Sequence, residues 1–456
     1  MRNILVIGAG RSSSSLITYL LEKSFTENLK ITVADVSLKL AKDKIKNHAN
    51  GNAIALNIFN DNERTIAIEN ADIVVSMLPA HLHLNIAKDC LKFKKNMVTA
   101  SYISNEMKAL NEEAITKNLI FMNEIGLDPG IDHMSAMKVL DAIRAKGGKI
   151  ILFESFTGGL VAPESDNNLW NYKFTWNPRN VVLAGQGGAA QFLQEGSYKY
   201  IPYHKLFRRT EILKIDGYGK FEGYANRDSL KYKEVYGLDT ILTLYRGTIR
   251  RVGFSRAWNV FVQLGMTDDS YTMENSEHMS YRDFTNSFLA YNPNDSVELK
   301  LRHYLKIDQD DIIWEKLVEL DIFNKNKKVG LKNATPAQIL EKILSDSWTL
   351  KEDDKDMIVM QHLFGYELNN EKHQIVSSMV CIGDNQIYTA MAKTVGLPVA
   401  IATLKILNGE INTPGVQLPI KKEIYEPILK ELEENGIIFT EKKVAYLGYN
   451  PENVNG

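Results

Sequence analysis

The sequence predicts an α/β fold, a Rossmann-type doubly wound parallel sheet with a second, mixed α/β domain inserted into it. Three observations lead there. The apolar run from Ile4 to Ile7 is followed at once by Gly8-Ala9-Gly10-Arg11-Ser12-Ser13 and then by the helical spacing Leu16, Ile17, Leu20, Leu21, which reads as strand, tight turn and helix. Short apolar runs recur at 30–34, 53–57, 71–78, 97–102 and 119–122, each stopping in small or polar residues with helix-like segments between, the rhythm of a parallel sheet. From Lys149 the texture changes to β-type runs dense in glycine, aromatic residues and arginine, which marks a domain of different build.

A chain of 456 residues is expected to hold two or three domains. We place a dinucleotide-binding domain at 1–128 and a substrate-binding and dimerisation domain at 129–389, carrying a helical insert at about 268–350. A carboxyl-terminal segment, 390–456, returns to the first domain. A net charge of -2, with 24% charged and 44% hydrophobic residues, fits a soluble globular protein and gives no footprint for nucleic acid. The longest apolar runs, such as 73–78, fall far short of the roughly 20 residues of a spanning helix, so no membrane partner is expected. The amino terminus runs straight into a strand and leaves no room for a secretory signal, while Cys90 and Cys381 alone cannot build a disulfide framework or a cysteine zinc site. A cytoplasmic location follows as the expectation.

In the first turn, Gly8 permits the sharp reversal, Gly10 lets the backbone approach a pyrophosphate, and the helix start offers free N–H groups to it. Ser13 stands where a third glycine is usual, and its small side chain still allows close packing of helix and strand. Asp35 ends the second strand, where a carboxylate takes the two ribose hydroxyls of NAD and repels a 2′-phosphate. NAD is therefore favoured over NADP, with Arg11, Lys39 and Lys42 partly offsetting the repulsion. Strand ends bring Asn57, Leu78, Pro79, Ser101 and Asp128 to one edge, the edge where open α/β sheets bind ligands. His81 and His83 are two apart, lie on different faces of a helix and have no partner cluster, so no metal site is expected.

The stretch Asn123-Glu124-Ile125-Gly126-Leu127-Asp128-Pro129-Gly130-Ile131-Asp132-His133 joins the strand at 119–122 to a helix at 134–145. Its proline and glycines turn the chain sharply, and Asp128 is the functional candidate there. Asp132 and His133 either join the site or cap the following helix.

In the second domain, Trp170, Tyr172, Phe174 and Trp176 read as core. Regular alternation in the strand around Tyr245-Arg246-Gly247-Thr248-Ile249-Arg250-Arg251 puts Arg246 and Arg250 on one face and Arg251 on the other. Guanidinium forks suit carboxylates and point to a polyanionic small substrate; solvated strand faces with ion pairs are the alternative. The polar, helix-rich insert shows no chemistry, residues 351–356 read as a solvated turn before a strand at 357–360, Gly396-Leu397-Pro398 marks a kink or break in a helix at 388–405, and a final helix covers 425–434. The tail at 446–456 is expected to be loosely held.

Taken together these stretches resemble the glutamate-forming saccharopine dehydrogenase family, also called saccharopine reductase, and the matching half of the bifunctional aminoadipate-semialdehyde synthases. The resemblance covers nearly the whole chain and is most specific in Thr99-Ala100-Ser101-Tyr102-Ile103-Ser104, residues 122–133, Asn226-Arg227-Asp228-Ser229, Arg246-Gly247-Thr248-Ile249-Arg250 and residues 390–398. It implies an NAD(P)(H)-dependent oxidoreductase of lysine metabolism that interconverts saccharopine with L-glutamate and 2-aminoadipate 6-semialdehyde, with a homodimer among the assemblies it allows. By the same resemblance Ser101, Tyr102, Asp128, Arg227, Thr248, Ile249 and Arg250 look like substrate contacts, and Gly10, Arg11, Ser12, Asp35, Asn57, Leu78, Ser101 and Leu127 like cofactor contacts. Asp128 or Tyr102 would handle the proton of the reacting nitrogen. Two departures stand out: Thr157 replaces a cysteine frequent in relatives, and Asp35 replaces the basic or neutral residue of NADP users. The competing readings are another imine-reducing dehydrogenase, such as a carboxynorspermidine dehydrogenase, and a non-catalytic NAD(P)(H)-binding sensor.

Overall fold

The apolar runs of the first 122 residues become β1 (Arg2–Ile7), β2 (Leu29–Asp35), β3 (Gly51–Ala55), β4 (Ile73–Ser76), β5 (Asn96–Val98) and β6 (Ile120–Met122). The computed structural model describes residues 1–448 and the backbone of Val454 and Asn455. The chain divides into two units, residues 1–149 with 379–440 and residues 150–378 with 441–456.

In the first unit all six strands pair in parallel, in the order β3-β2-β1-β4-β5-β6, and the late strand Gly415–Gln417 adds beside β6. Helices α1 (Ser14–Lys23), α2 (Leu38–Ile45), α3 (Asp61–Glu69) and α4 (His83–Phe93) make the crossovers between β1 and β5. Ile4, Leu5, Val6, Val74 and Val75 are fully buried because both sheet faces are covered, which explains their continuous apolar runs. Order reverses between β1 and β4, and the crevice at that switch is where such sheets take ligands.

The helix Ile131–Arg144 belongs to this unit, whereas the sequence placed it beyond a boundary at 128. It packs on the helix Lys422–Glu434, where the Tyr425 hydroxyl donates to Asp141 Oδ2 at 2.8 Å. The returning segment begins at 379 and ends at 440, against an expected 390–456. Its helix Ala390–Leu407 continues through Pro398, so of the expected kink or break the break does not occur. A proline inside a helix costs about 3 kcal/mol, and burial of Leu397 and of Val399 to Ala402 on either side outweighs it. This helix is long and apolar enough to cross a membrane by length and composition alone, but 72% of the window is buried in the fold. Lys393 and Lys405 break up its apolar run, so run length in the sequence did not reveal it.

The second unit is built on a mixed sheet. Its strands are β7 (Lys149–Val161), β8 (Ala190–Gln194), β9 (Ser197–Ile201), β10 (Thr210–Ile215), β11 (Gly219–Ala225), β12 (Thr243–Arg251), β13 (Asp356–Leu368) and β14 (Glu371–Ile382), with Thr440–Val444 at one edge and Val454–Asn455 at the other. β12 runs parallel to β7 and antiparallel to β11 and β8. The helices of the insert lie between Tyr281 and Trp348. Trp348 ends the last of them inside an aromatic core, 5.2 Å from Trp170 and 5.1 Å from Tyr172 between ring centres. Trp170, Tyr172 and Phe174 are core as expected; Trp176 is half-buried.

The expected turn before the strand is present, with Lys351, Glu352 and Asp353 exposed, but its far end is not solvated. Asp354 is buried and pairs with the buried ammonium of Lys173 at 2.7 Å, a partner 181 residues away that local charge patterning cannot announce. The expectation for the tail falls largely on residues 449–453 and 456, which lie outside the described residues.

Candidate active site

β1 hands over to α1 through a turn that only glycine can make at its first position. Gly8 has φ +109°, and a Cβ there would lie 2.9 Å from the Met77 carbonyl oxygen. A Cβ on Gly10 would meet nothing within 4 Å, so the space above it is open to a ligand. Arg11 and Ser12, exposed and half-buried, form with Ser13 the single turn before α1. Ser13 is buried and its hydroxyl folds back to the Gly10 carbonyl at 2.9 Å, which shows how serine serves in place of the third glycine.

Asp35 reaches back to the same turn. Its Oδ2 accepts the Ala9 N–H at 2.8 Å and its Oδ1 the Ser37 N–H at 2.9 Å. A cleft of about 300 Å³ opens beside it, lined by Ile7, Gly8, Asp35, Asn57, Phe59 and Leu78. A glycine cradle, an open helix start and an apolar slot ending in a carboxylate fit a dinucleotide. Pro79, next to Leu78, is exposed. Leu127 lies outside the lining of this cleft; its side chain is buried, and its carbonyl accepts the Asp132 N–H at 3.0 Å.

Beyond β5 the chain places Ser101, Tyr102 and Asp128 close together. The exposed Tyr102 donates its hydroxyl to Oδ1 of the half-buried Asp128 at 2.9 Å. The Asp128 turn is held by backbone, with the Gly126 N–H donating to the Pro129 carbonyl at 2.9 Å and the Ile131 N–H to the Gly126 carbonyl at 2.8 Å. Gly130 adopts φ +144°, and a Cβ there would come within 2.1 Å of the Gly126 oxygen. Asp132 Oδ1 accepts the Gly130 N–H at 2.6 Å, and His133 lies 2.8 Å from Glu124 Oε2. Both are buried; Asp132 braces the turn, whereas His133 pairs with Glu124 and does not cap the helix.

Sequence reasoning missed two groups here. Glu124 Oε1 also accepts the Ile103 N–H at 2.9 Å, so it pins the loop that carries Ser101 and Tyr102. His83, weighed in the sequence only as a metal ligand and set aside, is buried among three hydroxyls, those of Ser76, Thr99 and Ser101. Small hydroxyl residues at consecutive strand ends were the available signal. No metal-binding cluster exists among the described residues.

In the second unit, the alternation along β12 holds: Arg246 and Arg250 are buried, and Arg251 turns away to donate to the Tyr218 carbonyl at 3.0 Å. Neither buried arginine lies on a solvated face. The Arg246 guanidinium sits 4.0 Å above the Tyr232 ring, and that of Arg250 lies 5.0 Å from Tyr172, 5.3 Å from Phe254 and 5.9 Å from Tyr224. Arg250 Nη1 donates to the Ile249 carbonyl at 2.8 Å, while its Nε is buried with no hydrogen-bond partner. The Thr157 hydroxyl is likewise buried and unpartnered. Thr248 is half-buried, and Ile249 contributes only backbone because its side chain is core. Arg227 is exposed at φ +50° in the turn after β11, and Asp228 caps the next turn through the Leu230 N–H at 2.9 Å.

Residues 4–122 match the saccharopine dehydrogenase NADP binding domain, and residues 126–437 match the saccharopine dehydrogenase C-terminal domain. The chain belongs to the saccharopine dehydrogenase family. It is 33% identical over 97% of its length to the whole of saccharopine dehydrogenase [NADP(+), L-glutamate-forming] of Saccharomyces cerevisiae. It is also 33% identical to alpha-aminoadipic semialdehyde synthase of Rattus norvegicus, covering 48% of that longer chain. The solved structure of apo saccharopine dehydrogenase (L-Glu forming) from Saccharomyces cerevisiae superposes with a TM-score of 0.89 at 31% identity, over 98% of this chain and all of that one. The first unit thus carries the family's NAD(P)-binding domain.

Proposed function

We propose that this family member catalyses the NAD(P)-dependent interconversion of saccharopine with L-glutamate and 2-aminoadipate 6-semialdehyde, as an oxidoreductase acting on a CH–NH donor. The full-length match to glutamate-forming enzymes supports the reaction. The Tyr102–Asp128 contact at 2.9 Å carries the assignment of its proton-handling residues.

When bound, the nicotinamide supplies hydride transfer at the carbon beside the secondary amine. Gly8, Gly10, Arg11, Ser12 and Asp35 would hold the dinucleotide, with Asn57 and Leu78 walling its cleft. The Asp128 carboxylate, oriented by the Tyr102 hydroxyl, takes the proton of the amine or aligns the water that adds to the imine. In the second unit, Arg227 is exposed and Arg250 buried, and the guanidinium of each suits a carboxylate of a tricarboxylate substrate.

Asp35 sets the cofactor preference as NAD. Each of its oxygens already takes one backbone N–H and keeps a lone pair for a ribose hydroxyl, while a 2′-phosphate would meet like charge. Initial rates of reduced-nicotinamide formation from saccharopine with NAD and with NADP, with glutamate identified as product, test the reading. Turnover with a higher kcat/KM for NAD is expected; absence of turnover with both cofactors overturns it.

A further inference from the structure

β4 ends at Ser76, β5 runs beside it and ends at Val98, and α4 begins with His83, whose ring drops into the space beyond both strands. Its Nδ1 lies 2.8 Å from the Ser76 hydroxyl. Its Nε2 lies 2.7 Å from the Ser101 hydroxyl and 3.2 Å from that of Thr99. Ser76, Thr99 and His83 are buried, and only Ser101 is half-buried, so the network has a single outlet.

We infer that His83 is a positioning residue: it holds the Ser101 hydroxyl through Nε2, is braced by Ser76 through Nδ1, and so decides which way Ser101 presents its proton and lone pairs to a bound ligand. This rests on the reading of Ser101 as a ligand contact. A serine hydroxyl left alone rotates among staggered positions and bonds whichever neighbour is nearest. With 2.7 Å to an imidazole nitrogen, one of those positions is fixed before the ligand arrives. Burial, with the charge of His81 adding to it, pushes the His83 ring down to about 4, so near neutral pH it carries one N–H and one lone pair. Both are used. The ring therefore transmits an ordered polarity from Ser76 to Ser101, as a lysine or a second carboxylate there could not. Thr99 completes the bracket, since its Oγ1 also lies 3.3 Å from the Ser101 backbone N–H.

The test exploits the geometry of amides. A glutamine amide reaches about where Nε2 stands, and an asparagine amide about where Nδ1 stands. The kcat/KM for saccharopine, with the dinucleotide saturating, is measured for His83→Gln, His83→Asn, Ser101→Ala and the double variant His83→Asn with Ser101→Ala, each checked for a parental circular-dichroism spectrum. We expect Ser101→Ala and His83→Asn each to lose about tenfold, the worth of one well-placed hydrogen bond, and His83→Gln to stay within about threefold. We also expect the double variant to be no worse than Ser101→Ala. Independent losses that multiply in the double variant, or equal losses for His83→Gln and His83→Asn, overturn the role of His83. A Ser101→Ala variant with parental kcat/KM overturns the ligand reading of Ser101 itself, and this inference with it.

Discussion

The Tyr102 hydroxyl donates to Asp128 Oδ1, and in the proposed reaction these two side chains, 26 positions apart, would act as one proton-handling group. Replacing Asp128 by Asn keeps an acceptor for Tyr102 and removes the charge. We expect Asp128→Asn to lower kcat/KM by about two to four decades with the melting temperature unchanged, as steady-state kinetics beside a thermal melt would show. Turnover within a few fold of the parent would make Asp128 a turn residue only. At Asp35, we expect Asp35→Ser to lower kcat/KM for NAD and raise it for NADP, so that the ratio measured in parallel assays moves toward one; an unmoved ratio would pass the discrimination to Arg11 or Lys39. These positions were legible because a strand end followed by a polar residue is a local pattern. His83 was not, because its three partners sit at 76, 99 and 101 and only the pairing of β4 with β5 assembles them. Nor was the ring cage of Arg250, drawn from Tyr172, Tyr224 and Phe254.

Among the elements, the first turn of α1 depends on a helix nearly 400 residues later. A Cβ on Gly396 would stand 2.8 Å from the Leu16 amide nitrogen and 3.2 Å from the Ser12 carbonyl oxygen, so the helix Ala390–Leu407 touches the turn that would hold a pyrophosphate. We expect Gly396→Ala to cost about 1–3 kcal/mol by overpacking and to weaken dinucleotide binding severalfold, read by a thermal melt and a fluorescence titration. Parental values in both would show that α1 moves freely. The strand-and-helix alternation of the first 122 residues was readable because parallel strands buried on both faces make unbroken apolar runs. The boundary after β6 was not, because the helix Ile131–Arg144 is claimed by Lys422–Glu434, a tertiary choice that periodicity does not encode.

For the molecule as a whole, stability carries a pH signature from the second unit. Burial raises the carboxyl of Glu154 well above its ordinary range, with Glu211 and Glu195 adding repulsion, and raises Glu211 to about 7 against the pull of Arg209. A carboxyl raised on folding keeps a proton that the unfolded chain releases, so this contribution is full below the ordinary value of 4.5 and is lost as pH rises through about 7. Glu298 works in the opposite sense. Its hydrogen bonds to Arg282 hold it at about 2, and what it adds is present above 4.5 and lost only as pH falls through about 2. His83, pushed down to about 4 from an ordinary 6.5, opposes this loss below about 6.5, so the melting temperature should fall most clearly between about pH 6.5 and 8, and Glu211→Gln should flatten that slope; a parent whose melting temperature is level over this range would contradict the burial of the pair. The most direct measurement of the proposed activity is the rate of reduced-nicotinamide consumption with 2-aminoadipate 6-semialdehyde and a series of amine donors. The proposed reaction joins two carboxylate-bearing partners, with Arg227 and Arg250 proposed to take carboxylates, so we expect saturable consumption with L-glutamate and almost none with a diamine of similar length. Faster consumption with the diamine would contradict the account and move this chain to polyamine-forming imine reduction.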